Sequence, residues 1–315
     1  MNMKKTCFIV VAAIALGIVS NCAFFSARSD AREKYVMKLP VIEGFATDKL
    51  MTMFQDMAKV ISQKIDADIT VDKLTFRHGD RMVAVRDLET GAADFAYLNG
   101  IEFAEYQKSG KKDLMLLFTL SMNKSTMLNQ CLYVRKGEIM KVEALRGKKW
   151  GASQLLPTRF LLHKKGIDEP LERFFSSVRF VSDAPIPNIV AALDAKEIDV
   201  FSAAESAVRL SGELNKKSAT FAPLYCEPFE STWVFVARSG VPAPVALKLR
   251  DIMTTAHRNP EFNGFKFAFA MIDGNFTALD ERAKMLNETT YELIRKNGWL
   301  KEEDAFVKKH MPRAK

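Results

Sequence analysis

The chain has 315 residues, 48% of them hydrophobic and 27% charged, with 46 Lys and Arg against 38 Asp and Glu. That length and balance suit a globular protein with two domains and a core in each, and exclude a disordered or fibrous chain. The net charge of +8 is spread along helices, as at Lys164-Lys165, Lys216-Lys217 and Lys308-Lys309, which describes solvated faces and a bias toward anions; no nucleic-acid partner is expected.

Residues 1–31 read as a secretory signal: basic MNMKK, the apolar run CFIVVAAIALGIVS, then polar sequence. The run is short for a membrane span and polar residues follow it at once, so export is expected. Val19-Ser20-Asn21-Cys22 has the outline of a lipoprotein box in which Cys22 would be acylated, with Asn21 where such a box carries Gly, Ala or Ser. Cleavage after Ala23 or near Ala31 is the alternative.

A strand over 35–44 leads to an amphipathic helix from Asp48 to about Lys64, whose buried stripe is Leu50, Met53, Phe54, Met57, Val60 and Ile61. Fifteen methionines are present, but Met51, Met53 and Met57 fit a core stripe better than a soft-metal box. Residues 69–76 alternate as a strand. VAVRDLETGAADFAYLNG, residues 83–100, then gives a helix (Val83, Val85, Leu88), a C-cap glycine at Gly91 and a strand opened by Asp94. A strand follows over 113–122, then polar sequence, then the strand CLYVRKGE.

A new β–α series starts with GKKWGAS (147–153), a helix from Thr158 through Lys165, a strand over 176–182 and a proline-containing loop. IVAALDAKEIDVFSAAES then repeats the earlier unit, setting Val190 on Val85, Leu193 on Leu88, Asp199 on Asp94 and Ser202 on Tyr97. One such repeat predicts two similar lobes. Residues 221–242 are β-rich and broken at Pro228, and the tail reads as four helices with no β partner. The fold class is α/β: two doubly wound lobes joined by two crossover segments, with a ligand cleft between them. Lobe one takes 32–125 plus 230–315 and lobe two takes 126–229.

Ligands in such sheets sit at the carboxyl ends of the strands, beside helix N-termini. The candidates are Glu43, Phe45 and Thr47 after the first strand, Arg77 and His78 after the second, Tyr97 and Asn99 after the third, and Ser121 and Asn123 at the crossing. Lobe two contributes Ser153, Gln154, Thr158, Arg159, Asp183, Ser202 and Glu205. Thr158 and Arg159 carry most weight, because a hydroxyl and a guanidinium at a helix N-terminus suit an oxyanion; the alternative is an N-cap and a solvated arginine. Asp94 and Asp199 open strands at the opposite edge and are expected to close turns. Cys131 and Cys226 remain after the signal, both expected on the segments that join the lobes, and either pair or stay separate buried thiols. The four histidines fall in no HExxH, and there is no Cys/His metal spacing, no GxSxG and no phosphate loop, so no enzyme, metal or cofactor is expected.

VAVRDLETGAADFAYLNGIEFAEY (83–106), CLYVRKGEIMKVEALRGKKWGAS (131–153), IVAALDAKEIDVFSA (189–203) and WVFVARSGVPAPVALKLRDIM (233–253) resemble the type II solute-binding proteins of ABC transporters, in the phosphate, phosphite and phosphonate-binding branch. The resemblance implies the type II periplasmic binding protein fold, a periplasmic location, a small-molecule solute, a permease partner in the inner membrane and a monomer. It implies recognition without bond-making. Family members that bind phosphonates usually open the first helix of lobe two with Ser-Thr-Ser-Gly. The matching stretch here, Ser153-Gln154-Leu155-Leu156-Pro157-Thr158, keeps a hydroxyl only at Ser153 and Thr158, so a different small anion or a partly apolar solute is also compatible. A ligand-sensing subunit of a membrane signalling system on the same fold is the other reading.

Overall fold

The computed structural model describes residues 32–40, 47–74, 81–111, 113–152, 154–180, 186–215, 220–264, 270 and 273–310. The first thirty-three residues form a unit of their own, and Lys34–Lys315 form the second, to which everything below belongs.

In chain order the elements are β1 (Lys34–Pro40), α1 (Thr47–Ile65), β2 (Asp68–Leu74), α2 (Val83–Thr90), β3 (Phe95–Leu98), α3 (Gly100–Lys108), β4 (Met115–Leu120) and β5 (Met127–Arg135). They continue as β6 (Lys149–Ala152), α4 (Leu156–His163), α5 (Leu171–Phe174), β7 (Ser177–Phe180), α6 (Ile186–Asp194), β8 (Val200–Ala204) and α7 (Glu205–Asn215). The last are β9 (Phe221–Ser231), β10 (Val234–Ala237), α8 (Ala243–Thr255), β11 (Phe276–Thr277), α9 (Glu281–Lys296) and α10 (Trp299–His310). They build two sheets, ordered β11-β4-β10-β3-β1-β2 and β7-β6-β8-β5-β9. Within them β1 is parallel to β2 and β3, and β6 to β7 and β8, whereas β10 pairs antiparallel with β3 and β4, β11 with β4, and β5 with β8 and β9.

Successive strand side chains point to opposite faces, and both faces of each sheet are covered. In sheet one Phe95, Tyr97, Phe235 and Ala237 face α1 and α8, while Ala96, Leu98, Val234 and Val236 face α2 and the start of α9. In sheet two Leu132, Val134, Trp150 and Val200 face α4 and α10, while Cys131, Tyr133 and Phe201 face α6. Cys131 and Cys226 are directly paired residues of β5 and β9 and form a disulfide, inside sheet two rather than on the crossing segments.

The internal repeat holds bond for bond. Gly91 N and Lys196 N donate to Leu88 O and Leu193 O, and Ala93 N and Ile198 N donate to Asp87 O and Ala192 O. Asp94 accepts from Val36 N at 2.7 Å and Arg238 Nε at 2.8 Å; Asp199 accepts from Lys149 N at 3.0 Å and Arg135 Nη2 at 2.7 Å. Each aspartate pins the start of its strand to the neighbouring parallel strand and to an arginine ending the antiparallel one.

Three expectations need correction. β9 runs through Pro228 with a shift of register, which an edge strand tolerates because no further strand pairs with its outer side. The tail carries the short strand β11, paired with β4. The tail also does not belong to lobe one alone: α9 packs on α3 and β9, and α10 on α4 and β7, placing Trp299 and Phe306 in the core of sheet two.

Candidate functional site

The carboxyl edges of the two sheets meet. β3 ends at Leu98 and runs at once into α3, so the α3 N-terminus lies on the carboxyl edge of sheet one. Ala204, at the carboxyl end of β8, pairs with Gln130, and Leu128 two residues back pairs with Glu230. Glu230 is therefore at the carboxyl edge of sheet two, and its carboxylate accepts from Ile101 N of α3 at 3.2 Å. Both crossings, residues 121–126 and 231–233, run through the same region and are tied together: Thr119 Oγ1 lies 3.0 Å from Thr232 Oγ1, and Thr232 N donates to Thr126 O.

Two helix N-termini open onto this region. That of α3 has a capping box, with Asn99 Oδ1 accepting from Glu102 N at 2.8 Å and Glu102 Oε2 from Asn99 N at 2.9 Å. Burial pushes the Glu102 carboxyl up to about 8, against the Asn99 amide and reinforced by Glu230; burial alone lifts Glu230 to about 7 against the amides of Ile101 and Gly100. The N-terminus of α4 carries no side-chain cap of its own. Its amides are taken by Glu303 of α10, whose Oε1 accepts from Leu155 N at 3.1 Å and Leu156 N at 3.5 Å. Desolvation raises the Glu303 carboxyl above its ordinary range, opposed by those two amides and by Arg81.

Of the expected site residues, Glu43, Phe45, Arg77, His78, Ser153 and Asp183 lie outside the described residues. Thr47 opens α1. Asn99 is the N-cap of α3, and Asn123 sits in the first crossing with φ of 51°. Gln154 is exposed at the carboxyl end of β6, and Glu205, exposed at the start of α7, accepts from Asn129 Nδ2 at 2.9 Å. Thr158 and Ser202 are brought together as a buried chain: Trp150 Nε1 donates to Thr158 Oγ1 at 3.0 Å, and Thr158 Oγ1 to Ser202 Oγ at 2.6 Å. The Thr158 hydroxyl is thereby committed, accepting from Trp150 and donating to Ser202.

Other expectations are not met by the geometry. Tyr97 is a core ring packed on Phe118, Trp233 and Phe235, with burial holding its hydroxyl far above its ordinary pKa. Ser121 bonds Asn275, its Oγ donating to Asn275 Oδ1 at 2.8 Å. Arg159 is neither solvated nor free for a ligand. It is 5% exposed, packs on the Trp299 ring, bonds Glu302 at 3.2 Å and donates to the carbonyls of Asp168 and Glu169. Arg159 points across to α10, whose Glu302 and Trp299 hold it.

Sequence reasoning missed Glu230, Glu303, Arg81 and Asp304. Arg81 Nε bonds Glu105 of α3 and its Nη1 bonds Asp304, both at 3.1 Å. The Asn99-x-x-Glu102 spacing could have shown the capping box; nothing around Glu230 or Glu303 marks them. A cavity of about 420 Å³ lies against β4 and α8, lined by Leu117, Arg250, His257, Arg258, Asn275 and Phe276 and by none of the candidates. Among the described residues no helix is long and apolar enough to cross a membrane, and no cluster of His, Cys, Asp and Glu is placed to hold a metal.

The family model described as "ABC transporter, phosphonate, periplasmic substrate-binding protein" matches residues 41–282. No curated protein matches the chain in sequence. Among solved structures, the fold is similar to PhnD1 from Prochlorococcus marinus (MIT 9301) in complex with methylphosphonate, at 13% identity and a TM-score of 0.63 over 85% of this chain and 99% of that one. It is similar to XAC2383 from Xanthomonas citri bound to ATP, at 15% identity and a TM-score of 0.64 over 86% of this chain and 99% of that one. It is also similar to the periplasmic aliphatic sulphonate binding protein SsuA from Escherichia coli, at 13% identity and a TM-score of 0.55 over 86% of this chain and 89% of that one.

Proposed function

The chain belongs to the family of periplasmic phosphonate substrate-binding proteins of ABC transporters, and from that premise we propose that its solute is a small tetrahedral oxyanion, phosphonate-like, bound where the two carboxyl edges meet. As a member of that family it is a solute-binding receptor and not an enzyme. The observation that carries the choice of solute is that a helix N-terminus from each sheet, α3 and α4, already holds a carboxylate on its backbone N–H groups. Such termini bind anions through unsatisfied amides and the positive end of the helix dipole. Methylphosphonate in PhnD1, ATP in XAC2383 and the aliphatic sulphonates of SsuA are oxyanions on the same fold and favour the same class here. The receptor works as a monomer without nucleic acid and hands its solute to a permease, and Cys22 is not required to anchor it.

A thermal-shift series on the exported protein tests this, using phosphate, phosphite, alkyl- and aminoalkylphosphonates, alkanesulfonates, carboxylates and amino acids. A ligand at a hundredfold over its dissociation constant adds roughly 2.7 kcal/mol, a rise on the order of 5 °C for a chain of this size. A phosphonate or sulfonate is expected to give that rise. Silence from every oxyanion with a rise from a neutral or cationic solute would remove the assignment.

A further inference from the structure

The cavity of about 420 Å³ against β4 and α8, at the β11 edge of sheet one, has a wall whose charge is of one sign. Arg250 enters it from α8, His257 and Arg258 from the turn Ala256–Arg258 that follows, and among the described residues no acid lines it. Other arginines are neutralised by acids far along the chain: Arg135 by Asp199, Arg159 by Glu302 and Arg238 by Asp94. These two are not. Arg250 spends Nε and Nη2 on Asp251, its exposed neighbour in sequence, in an ion pair of little strength in water. Arg258 Nε donates to His257 Nε2 at 3.1 Å, and its two terminal nitrogens have no partner among the described residues. Basic residues after a helix often balance its dipole, but neither His257 nor Arg258 bonds a carbonyl of α8, so capping does not account for them.

The rest of the wall is held in place. Asn275 accepts from Ser121 N at 2.7 Å, donates to Ser121 Oγ at 2.8 Å, and accepts from that hydroxyl through Oδ1 at 2.8 Å. With Oδ1 taken by the first crossing, Asn275 turns Nδ2 toward the cavity, 3.5 Å from His257 Nδ1. Leu117 and Phe276, each 4% exposed, make its apolar side.

We propose that this cavity is a second ligand site and that its ligand is a small phosphomonoester, with phosphoryl oxygens on Arg250 and Arg258 and an organic group on Leu117 and Phe276. Guanidinium N–H pairs match phosphoryl oxygens as a fork, and they bind most strongly where no acid competes for them. One guanidinium satisfies a carboxylate; two, with an amide donor beside them, suit a group with three free oxygens. A concave wall of one sign also concentrates anions at its mouth. Volume separates the ester from the bare ion. At about 30 Å³ per water the cavity holds roughly fourteen waters, so inorganic phosphate fills only part of it and leaves the apolar side wet. An ester covers that side and gains from its burial. None of the residues assigned to the solute site lines this cavity, so the inference does not depend on which solute binds between the carboxyl edges.

The test follows the His257 ring by proton–carbon NMR in the full exported chain at physiological ionic strength, its signal identified by its loss in His257→Gln. Phenyl phosphate is expected to shift that signal saturably, with inorganic phosphate and benzoate each at least about tenfold weaker. Arg250→Gln and Arg258→Gln are each expected to weaken phenyl phosphate by at least about tenfold. Arg179→Gln, which removes the same charge from an exposed pair on β7, is expected to change affinity less than about twofold. Thermal midpoints of the ligand-free variants are expected to match the unaltered protein, which separates lost binding from lost fold. Should a glutamine variant fold poorly, Arg258→Lys keeps the charge without the fork and is expected to weaken binding by at least about threefold. A His257 signal unmoved by millimolar phenyl phosphate, a response unchanged in the arginine variants, or equal affinity for inorganic phosphate overturns the inference.

Discussion

At the residue scale the most informative groups are Glu102 and Glu230, which share the start of α3 at 2% and 8% exposure. Both carboxyls are raised from 4.5, chiefly by burial, one to about 8 and the other to about 7. A raised carboxyl binds its proton more tightly in the folded than in the unfolded chain, so between those values the native state holds more protons. Stability from these groups is fully present below about pH 4.5 and is lost as pH rises through their folded values, at about 1.4 kcal/mol per unit of difference. Urea unfolding midpoints are expected to fall between pH 5 and pH 8, and Glu230→Gln to flatten that fall; a midpoint that rises over the same range would refute it. The capping box could be read from Asn99 and Glu102 alone, because it is a local spacing. Glu230, Glu303 and the direction of Arg159 could not, because each depends on which helix a distant segment lays against it.

At the element scale the sequence was most readable where structure is made by neighbours. The repeated helix, turn and strand was visible from Val85, Leu88 and Asp94 against Val190, Leu193 and Asp199, and its hydrogen bonds repeat in the structure. Pro228 misled because whether a proline breaks a strand depends on edge position, a tertiary property. The repeat also exposes a local cost. Gly91 ends α2 with φ of 76°, and the equivalent residue after α6 is Lys196 with φ of 59°. Left-handed backbone is free of steric penalty for glycine but costs a residue with a Cβ about 1 kcal/mol or more. Gly91→Ala is expected to destabilise the protein by about 1 kcal/mol, and Lys196→Gly to be neutral or stabilising by up to about 1 kcal/mol. Thermal midpoints of the two variants check this, and a loss on Lys196→Gly equal to that on Gly91→Ala would mean that the Lys196 side chain, not its backbone, decides the turn.

At the scale of the whole molecule, two readable halves are less separate than their sequences suggest. The chain crosses twice between sheets, and α9 and α10 then lie across both: Ile101 and Ala104 of α3 share one apolar cluster with Tyr291 and Ile294 of α9, Trp299 and Phe306 of α10, and Trp150 and Leu132 of sheet two. Helix periodicity could identify the tail helices but not their partner, since an apolar stripe fits either sheet. A shared core predicts cooperative unfolding of both sheets in one transition. The three tryptophans provide the measurement, because Trp150 lies in sheet two, Trp233 in the second crossing and Trp299 on α10. Denaturant curves followed by tryptophan fluorescence and by far-ultraviolet circular dichroism are expected to coincide. Phe306→Ala removes a buried ring packed against Trp150 and is expected to cost about 3–5 kcal/mol while shifting both curves together. If the sheets were independent, that substitution would instead split the curves, with sheet two unfolding first and the circular dichroism of sheet one persisting; α10 would then be an appendage of sheet two, and the bond from Asp304 to Arg81 would not couple the two sheets.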